Sequence, residues 1–224
     1  MDTRRDPEYV NSHLLYVLAD DYLESLVAVP MLLKQGIHRP AIRDSRFLLE
    51  MSIKLAYIQQ NEYKLPISTK IDHFKKELSS PGISVMRSIN LDLLKKEMHP
   101  EFFEESGRLF GYSSKYIHLT PDQISERIAL IESGRSAGNE APEDLWQINS
   151  LLERIYAVTI IFMMHSVPIY ISGDWLVETN GDTNNWYFTA SQFIAAIDET
   201  FDYKHERQSK LDEIRDTRKK RIRF

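Results

Sequence analysis

The chain has no cysteine among its 224 residues, so it carries neither a disulfide framework nor a thiolate metal site, and a reducing compartment is compatible with it. It also lacks a glycine-rich phosphate loop, a His-Glu-x-x-His pair and a Gly-x-Ser-x-Gly elbow, which removes the motif-borne routes to nucleotide binding, zinc proteolysis and serine hydrolysis. Its seven histidines (13, 38, 73, 99, 118, 165 and 205) are scattered and form no metal-ligand pattern, so no metal and no cofactor are expected. The longest apolar run, around 155–164, is bounded by Arg154 and His165 and falls short of the roughly 20 residues that cross a bilayer. The opening MDTRRDPEY has no apolar signal-peptide run, so a cytoplasmic protein without membrane contact is expected. The net charge of −5 opposes chain-wide attraction to nucleic acid while leaving room for a local basic patch. There is no internal repeat, no low-complexity tract and no long linker. At 224 residues, 42% hydrophobic and 27% charged, the chain has the composition of an ordinary globular protein with length for one substantial core, or at most two small ones, and it is read as a single domain over 1–224.

What the sequence does have is a helical stretch at 40–60, PAIRDSRFLLEMSIKLAYIQQ, that is apolar over most of its circumference. Such a helix belongs at the centre of a bundle, packed on several sides. Arg43, Arg46, Glu50, Lys54 and Tyr57 break the pattern: spacings of three, four, four and three put them in one narrow polar stripe. The stripe has two readings. It is either a solvent-facing seam of i,i+4 ion pairs or a polar site lined by the central helix.

The remaining segments predict an antiparallel helical bundle. A first helix is expected over 11–33, kinked or ended by Pro30, with Gly36 as terminator and a short turn into the central helix. Helices are expected at 68–78, 84–98 and 100–118, the last open to a break near Gly111. On it Gly107, Gly111, Ser114 and His118 share a face that would admit a second helix closely, which favours a homo-oligomer. Thr120, Pro121 and Gln123 are a strong helix start for a segment reaching Glu132 and stopping at Gly134. RSAGNEAPED at 135–144 reads as a loop, and 144–165 as a long buried helix in which His165 is a core or C-capping histidine. The segment 168–188 reads as irregular or as a hairpin around Gly173 and Asp174. A final long helix is expected from Thr189 to Arg221, with a basic end that is ordinarily solvated.

For chemistry, the stripe and YSSKYIH at 112–118 are the candidates. Arginine and lysine hold anions, and a histidine shuttles protons near neutral pH. Ser114 and His118 fall on one helical face, although a small residue for close packing and a histidine at a helix C-terminus account for them equally.

The pattern A-x-x-x-x-R-F-L-L-E-x-x-I-K-x-x-Y-I at 41–58 resembles the paired helices of HEPN-type proteins, all-α prokaryotic domains of toxin–antitoxin, abortive-infection and CRISPR-linked defence systems. YSSKYIHLTP at 112–121 is similar to the Ser-x-Tyr-x-His segment of bacterial families with that core, so the resemblance covers about residues 10–120. It implies a HEPN-like bundle that commonly pairs, a partner protein from a defence operon, and RNA as substrate. In a metal-independent ribonuclease of this kind, His118 and Arg46 would be catalytic, the histidine acting as general acid or base for attack by the ribose 2′-hydroxyl. Lys54, Glu50, Ser114 and Tyr112 would bind. Active members place a histidine four to six residues after an arginine. The arginine nearest before His118 is Arg108, too far away, which favours a non-catalytic binding or scaffold subunit as the alternative.

Overall fold

The computed structural model describes residues 12–135 and 141–224, and these build an all-α chain of eleven α-helices with no β-strand among them. In order the helices are α1 (Leu14–Val17), α2 (Ala19–Lys34), α3 (His38–Asn61), α4 (Ile67–His73), α5 (Lys75–Ser79), α6 (His99–Ser114), α7 (Pro121–Glu132), α8 (Pro142–Ser166), α9 (Ile169–Leu176), α10 (Gln192–Glu199) and α11 (Leu211–Arg221). No helix among the described residues is long and apolar enough to cross a membrane.

The apolar circumference of α3 explains its place: Ala41, Ile42, Leu48, Leu49, Ile53 and Ile58 are all buried, and α2, α6 and α8 pack around them. Ser45 and Ser52 are buried too, and each returns its hydroxyl to its own helix, on the carbonyls of Ala41 (2.8 Å) and Leu49 (2.9 Å), so a small polar residue is tolerated there. The second core helix, α8, is buried continuously from Ile155 to Ser166. Against it α6 runs antiparallel: Phe102 packs on Phe162 at one end (centroids 5.1 Å apart), and Glu105 meets Arg154 further along. α2 runs opposite to α3, since the Leu14 N–H near its start donates to Gln59 near the end of α3.

Four expectations are corrected. Pro30 lies on the exposed side within α2 and does not end it; Gly36, at φ +70°, marks the stop. The stretch 84–98 is not a helix but two short 3-10 turns, because its backbone donors go elsewhere: Asn90 N–H to Gln60 Oε1 (2.7 Å) and Leu93 N–H to His165 Nε2 (3.2 Å). No hairpin forms around Gly173. Residues 169–176 are helical, and Gly173 is required for packing: a Cβ there would lie 2.9 Å from the ring of buried Phe201. The expected C-terminal helix is broken into α10, a 3-10 turn (His205–Lys210) and α11, with Ser191 rather than Thr189 as N-cap.

The helix start at Thr120 is as read, its Oγ1 accepting from Gln123 N–H, and Gly134 ends α7 at φ +74°. Of the loop expected at 135–144, residues 136–140 lie outside the described residues, and Pro142 to Asp144 already belong to α8. α6 continues unbroken through Gly111. Nothing lies within 4 Å of a Cβ built at Gly107 or Gly111, so no helix of the described chain uses that face for close approach.

Candidate functional site

The polar stripe of α3 meets a turn and a helix rather than bulk water. Arg46, Glu50 and Lys54 are one helical turn apart, which lets Glu50 accept from Arg46 Nη1 at 2.9 Å and from Lys54 Nζ at 2.6 Å. The other donors are used as well. Arg46 Nε donates to Ser114 Oγ (2.9 Å), its Nη2 to the Pro81 carbonyl (2.9 Å), and its guanidinium lies 4.4 Å from the centre of the Phe110 ring. Lys54 Nζ also donates to the carbonyls of Ser80 and, at 3.4 Å, Leu78. The group therefore ties the 78–81 turn and the end of α6 to the central helix. Arg46, Glu50 and Lys54 are thus a chain of i,i+4 pairs, but one covered by neighbours rather than facing solvent.

The structure brings Ser114 to Arg46 as the sequence suggested, and it does not join His118 to either. α6 ends at Ser114, and the next residues unwind through tighter turns (Tyr116 N–H to Ser113, Ile117 N–H to Ser114), so Ser114 and His118 no longer share a helical face. The Gln123 side chain donates to the Lys115 carbonyl and fixes this exit. His118 is exposed, and its side chain makes no hydrogen bond or ion pair among the described residues. Of the residues expected to share a site, Arg46, Glu50, Lys54 and Ser114 therefore come together, and His118 does not join them. Tyr112 stands apart from it, exposed, its hydroxyl 3.1 Å from that of Tyr116 and its ring 5.9 Å from Lys115 Nζ.

Removing Glu50 should test the stripe as a structural lock. Glu50→Ala is expected to cost about 2–3 kcal/mol, since two cations lose their shared carboxylate while each keeps a carbonyl acceptor. Urea unfolding measures this, and a loss under about 1 kcal/mol, the value of an exposed pair, would place the stripe effectively in water.

Two polar clusters escaped the sequence reading. One surrounds Glu105, which is gripped by Arg154 in a bidentate pair (2.6 and 2.7 Å) and by Arg108; it lines a cleft of about 450 Å³ with Glu101, Gln192 and Phe224. Burial alone would raise the Glu105 carboxyl, but the hydrogen bonds and charges of Arg154 and Arg108 outweigh it and hold the group below the ordinary carboxylate value. The other joins Asp198, Asp202, Arg207 and Arg218 beside a cavity of about 210 Å³. The sequence signal for it is the i,i+4 spacing of Asp198 and Asp202 on an expected helix whose first half is apolar on one side. The basic end is not simply solvated: Arg218 pairs with both aspartates, Arg215 with Asp202 and Arg223 with Glu153. Among the described residues, no group of three or more histidine, aspartate or glutamate side chains is placed to hold a metal ion.

No protein-family model, no curated protein and no solved structure matches this chain.

Proposed function

We propose that the chain is a non-catalytic helical binding subunit, a HEPN-like scaffold working with a partner protein in a prokaryotic defence or toxin–antitoxin type system. One observation carries the non-catalytic part: Glu50 pairs with both Arg46 and Lys54, each Arg46 nitrogen spends an N–H within the chain, and all three hydrogens of the Lys54 ammonium have acceptors on Glu50, Ser80 and Leu78. A phosphate-binding pair in a ribonuclease would need those donors free for substrate. The partner-binding part is supported by α7, which leaves Ile124, Ile128 and Ile131 exposed along one side, a pattern that helix-gripping partners recognise.

The second reading, a metal-independent ribonuclease, is favoured by the exposed group of Tyr112, Lys115 and His118, where an aromatic ring, a cation and a proton carrier lie within a few residues. Incubation of the purified chain with total RNA and tRNA in chelator separates the two. Intact RNA is the expected result. Cleavage that is lost in His118→Ala, with the helical circular-dichroism spectrum unchanged, would replace the binding reading with the catalytic one.

A further inference from the structure

The face of α2 turned away from the bundle carries a pattern that complements itself. Tyr22 and Val29 anchor the helix on the core, whereas Leu23, Val27 and Met31 are 59%, 57% and 62% exposed. At about 100° per residue these three form a stripe roughly 140–160° around the helix from Tyr22 and Val29. Asp20 and Lys34 lie at its two ends, on the same side, and neither side chain makes an ion pair or hydrogen bond among the described residues. Outward from Val27, the stripe is therefore apolar at four residues in each direction, then acidic at one end and basic at the other, seven residues away.

We infer that α2 pairs with α2 of a second copy of this chain, antiparallel, across a two-fold axis at Val27. That operation sets Val27 against its own equivalent, Leu23 against the second copy's Met31, and Asp20 against the second copy's Lys34. A two-fold interface demands such a self-complementary patch. The charges also select the direction. A parallel pairing would face Asp20 with Asp20, Glu24 with Glu24 and Lys34 with Lys34, whereas the antiparallel one sets Glu24 opposite the uncharged Pro30. Pro30, without an N–H to lose and exposed on the helix, adds apolar surface beside the seam. One helix per copy lies at the small end of specific interfaces, so association in the micromolar range is expected. The surface differs from the Gly107–Gly111 face and depends on no reading of the protein's activity.

The absence of cysteine makes the test direct. Val27→Cys, oxidised with oxidised glutathione, is expected to give a disulfide-linked dimer, because only a residue on the axis meets its own equivalent within disulfide reach. Leu23→Cys and Met31→Cys should each form no disulfide-linked dimer alone and cross-link when mixed. In sedimentation of the chain without cysteine, Asp20→Lys and Lys34→Asp should each weaken dimerisation several-fold, and the double exchange should restore it. All of these positions are exposed, and circular dichroism verifies that each variant stays helical. Self-cross-linking of Leu23→Cys as fast as Val27→Cys would indicate a parallel seam and overturn the assignment. A chain that is strictly monomeric at high micromolar concentration, with Val27→Cys failing to cross-link, would overturn it too and leave the stripe to a different protein or a lipid surface.

Discussion

Arg207→Ala is expected to destabilise the fold by about 3–5 kcal/mol, toward the lower end of that range, and to lower the melting temperature by roughly 6–20 °C. Arg207 heads the wholly buried side chains among the described residues, at 0% exposure, and its guanidinium is the hub of the C-terminal third. Nε donates to the Gly181 carbonyl (3.1 Å), Nη1 to the Asp198 carbonyl (3.0 Å), and Nη2 to Asp198 Oδ1 (2.6 Å) and Thr183 Oγ1 (3.2 Å). Without it, Asp198, itself 1% exposed, loses one of two cations, and two backbone carbonyls lose their donor in a place water does not reach. The lower end applies because Arg218 still reaches Asp198 Oδ2 at 2.7 Å. The loop it holds has little slack: Gly181 sits at φ +88°, and a Cβ there would lie 2.3 Å from the Glu206 carbonyl oxygen. Arg207→Lys should recover only part of the loss, since a single ammonium cannot reproduce the planar fork. Urea unfolding of the three proteins measures both steps, and a loss below about 1 kcal/mol for Arg207→Ala would mean the cluster is solvated like a surface ion pair.

What could be read from the sequence follows from how local its cause was. α3 and α8 were legible because an all-round apolar helix has few alternatives, and α7 because its Thr120 cap and its Gly134 stop are set by neighbouring residues. The stripe of Arg46, Glu50 and Lys54 was legible for the same reason: i,i+4 partners meet wherever a helix forms. Features decided at long range were not. Residues 84–98 have a helical composition, but Gln60 and His165, far away in sequence, capture their backbone donors. Gly173 suggests a turn until the Phe201 ring that needs its missing side chain is in place. The acceptors for Arg46 and Lys54 at Pro81 and Ser80 are main-chain carbonyls, which no residue type announces. Arg207 sits in a charged run with no local sign of burial, and only the reversal of the chain after α10 carries it inside. His118 failed as a partner for Ser114 because helix periodicity holds only while the helix lasts, and α6 stops first.

A second large effect is expected from acid. Folding stability should fall steadily as pH drops from about 6.5 toward about 4, by up to roughly 1.4 kcal/mol per pH unit for each of two histidines. His13 and His165 are both buried, and each ring uses one nitrogen as donor and the other as acceptor. His13 Nε2 donates to the Ser166 carbonyl (2.6 Å) while Nδ1 accepts from Leu15 N–H (3.0 Å). His165 Nδ1 donates to the Ile161 carbonyl (2.7 Å) while Nε2 accepts from Leu93 N–H (3.2 Å). A second proton on either ring would meet an N–H already pointing at it, in surroundings that burial has stripped of water. Burial accordingly lowers both groups from 6.5 to about 4, overcoming the opposite pull of the carbonyls they contact. The sign follows from proton counting. In the window between 6.5 and 4 the unfolded chain takes up protons that the folded one refuses, so acid favours unfolding, and the full stability is present only above 6.5. Glu105, Asp182 and Asp202, held below their ordinary values, add their losses only under about pH 4.5, which leaves the upper part of the window to the histidines. Urea midpoints measured from pH 8 to pH 5 should therefore slope downward, and the slope should shrink in His165→Gln, which is less stable at neutral pH but has one fewer titrating group. A midpoint that stays flat from pH 7 to pH 5 would show that both rings accept protons without resistance, and that the contact of α3, α8 and the 84–98 segment around them is open to water.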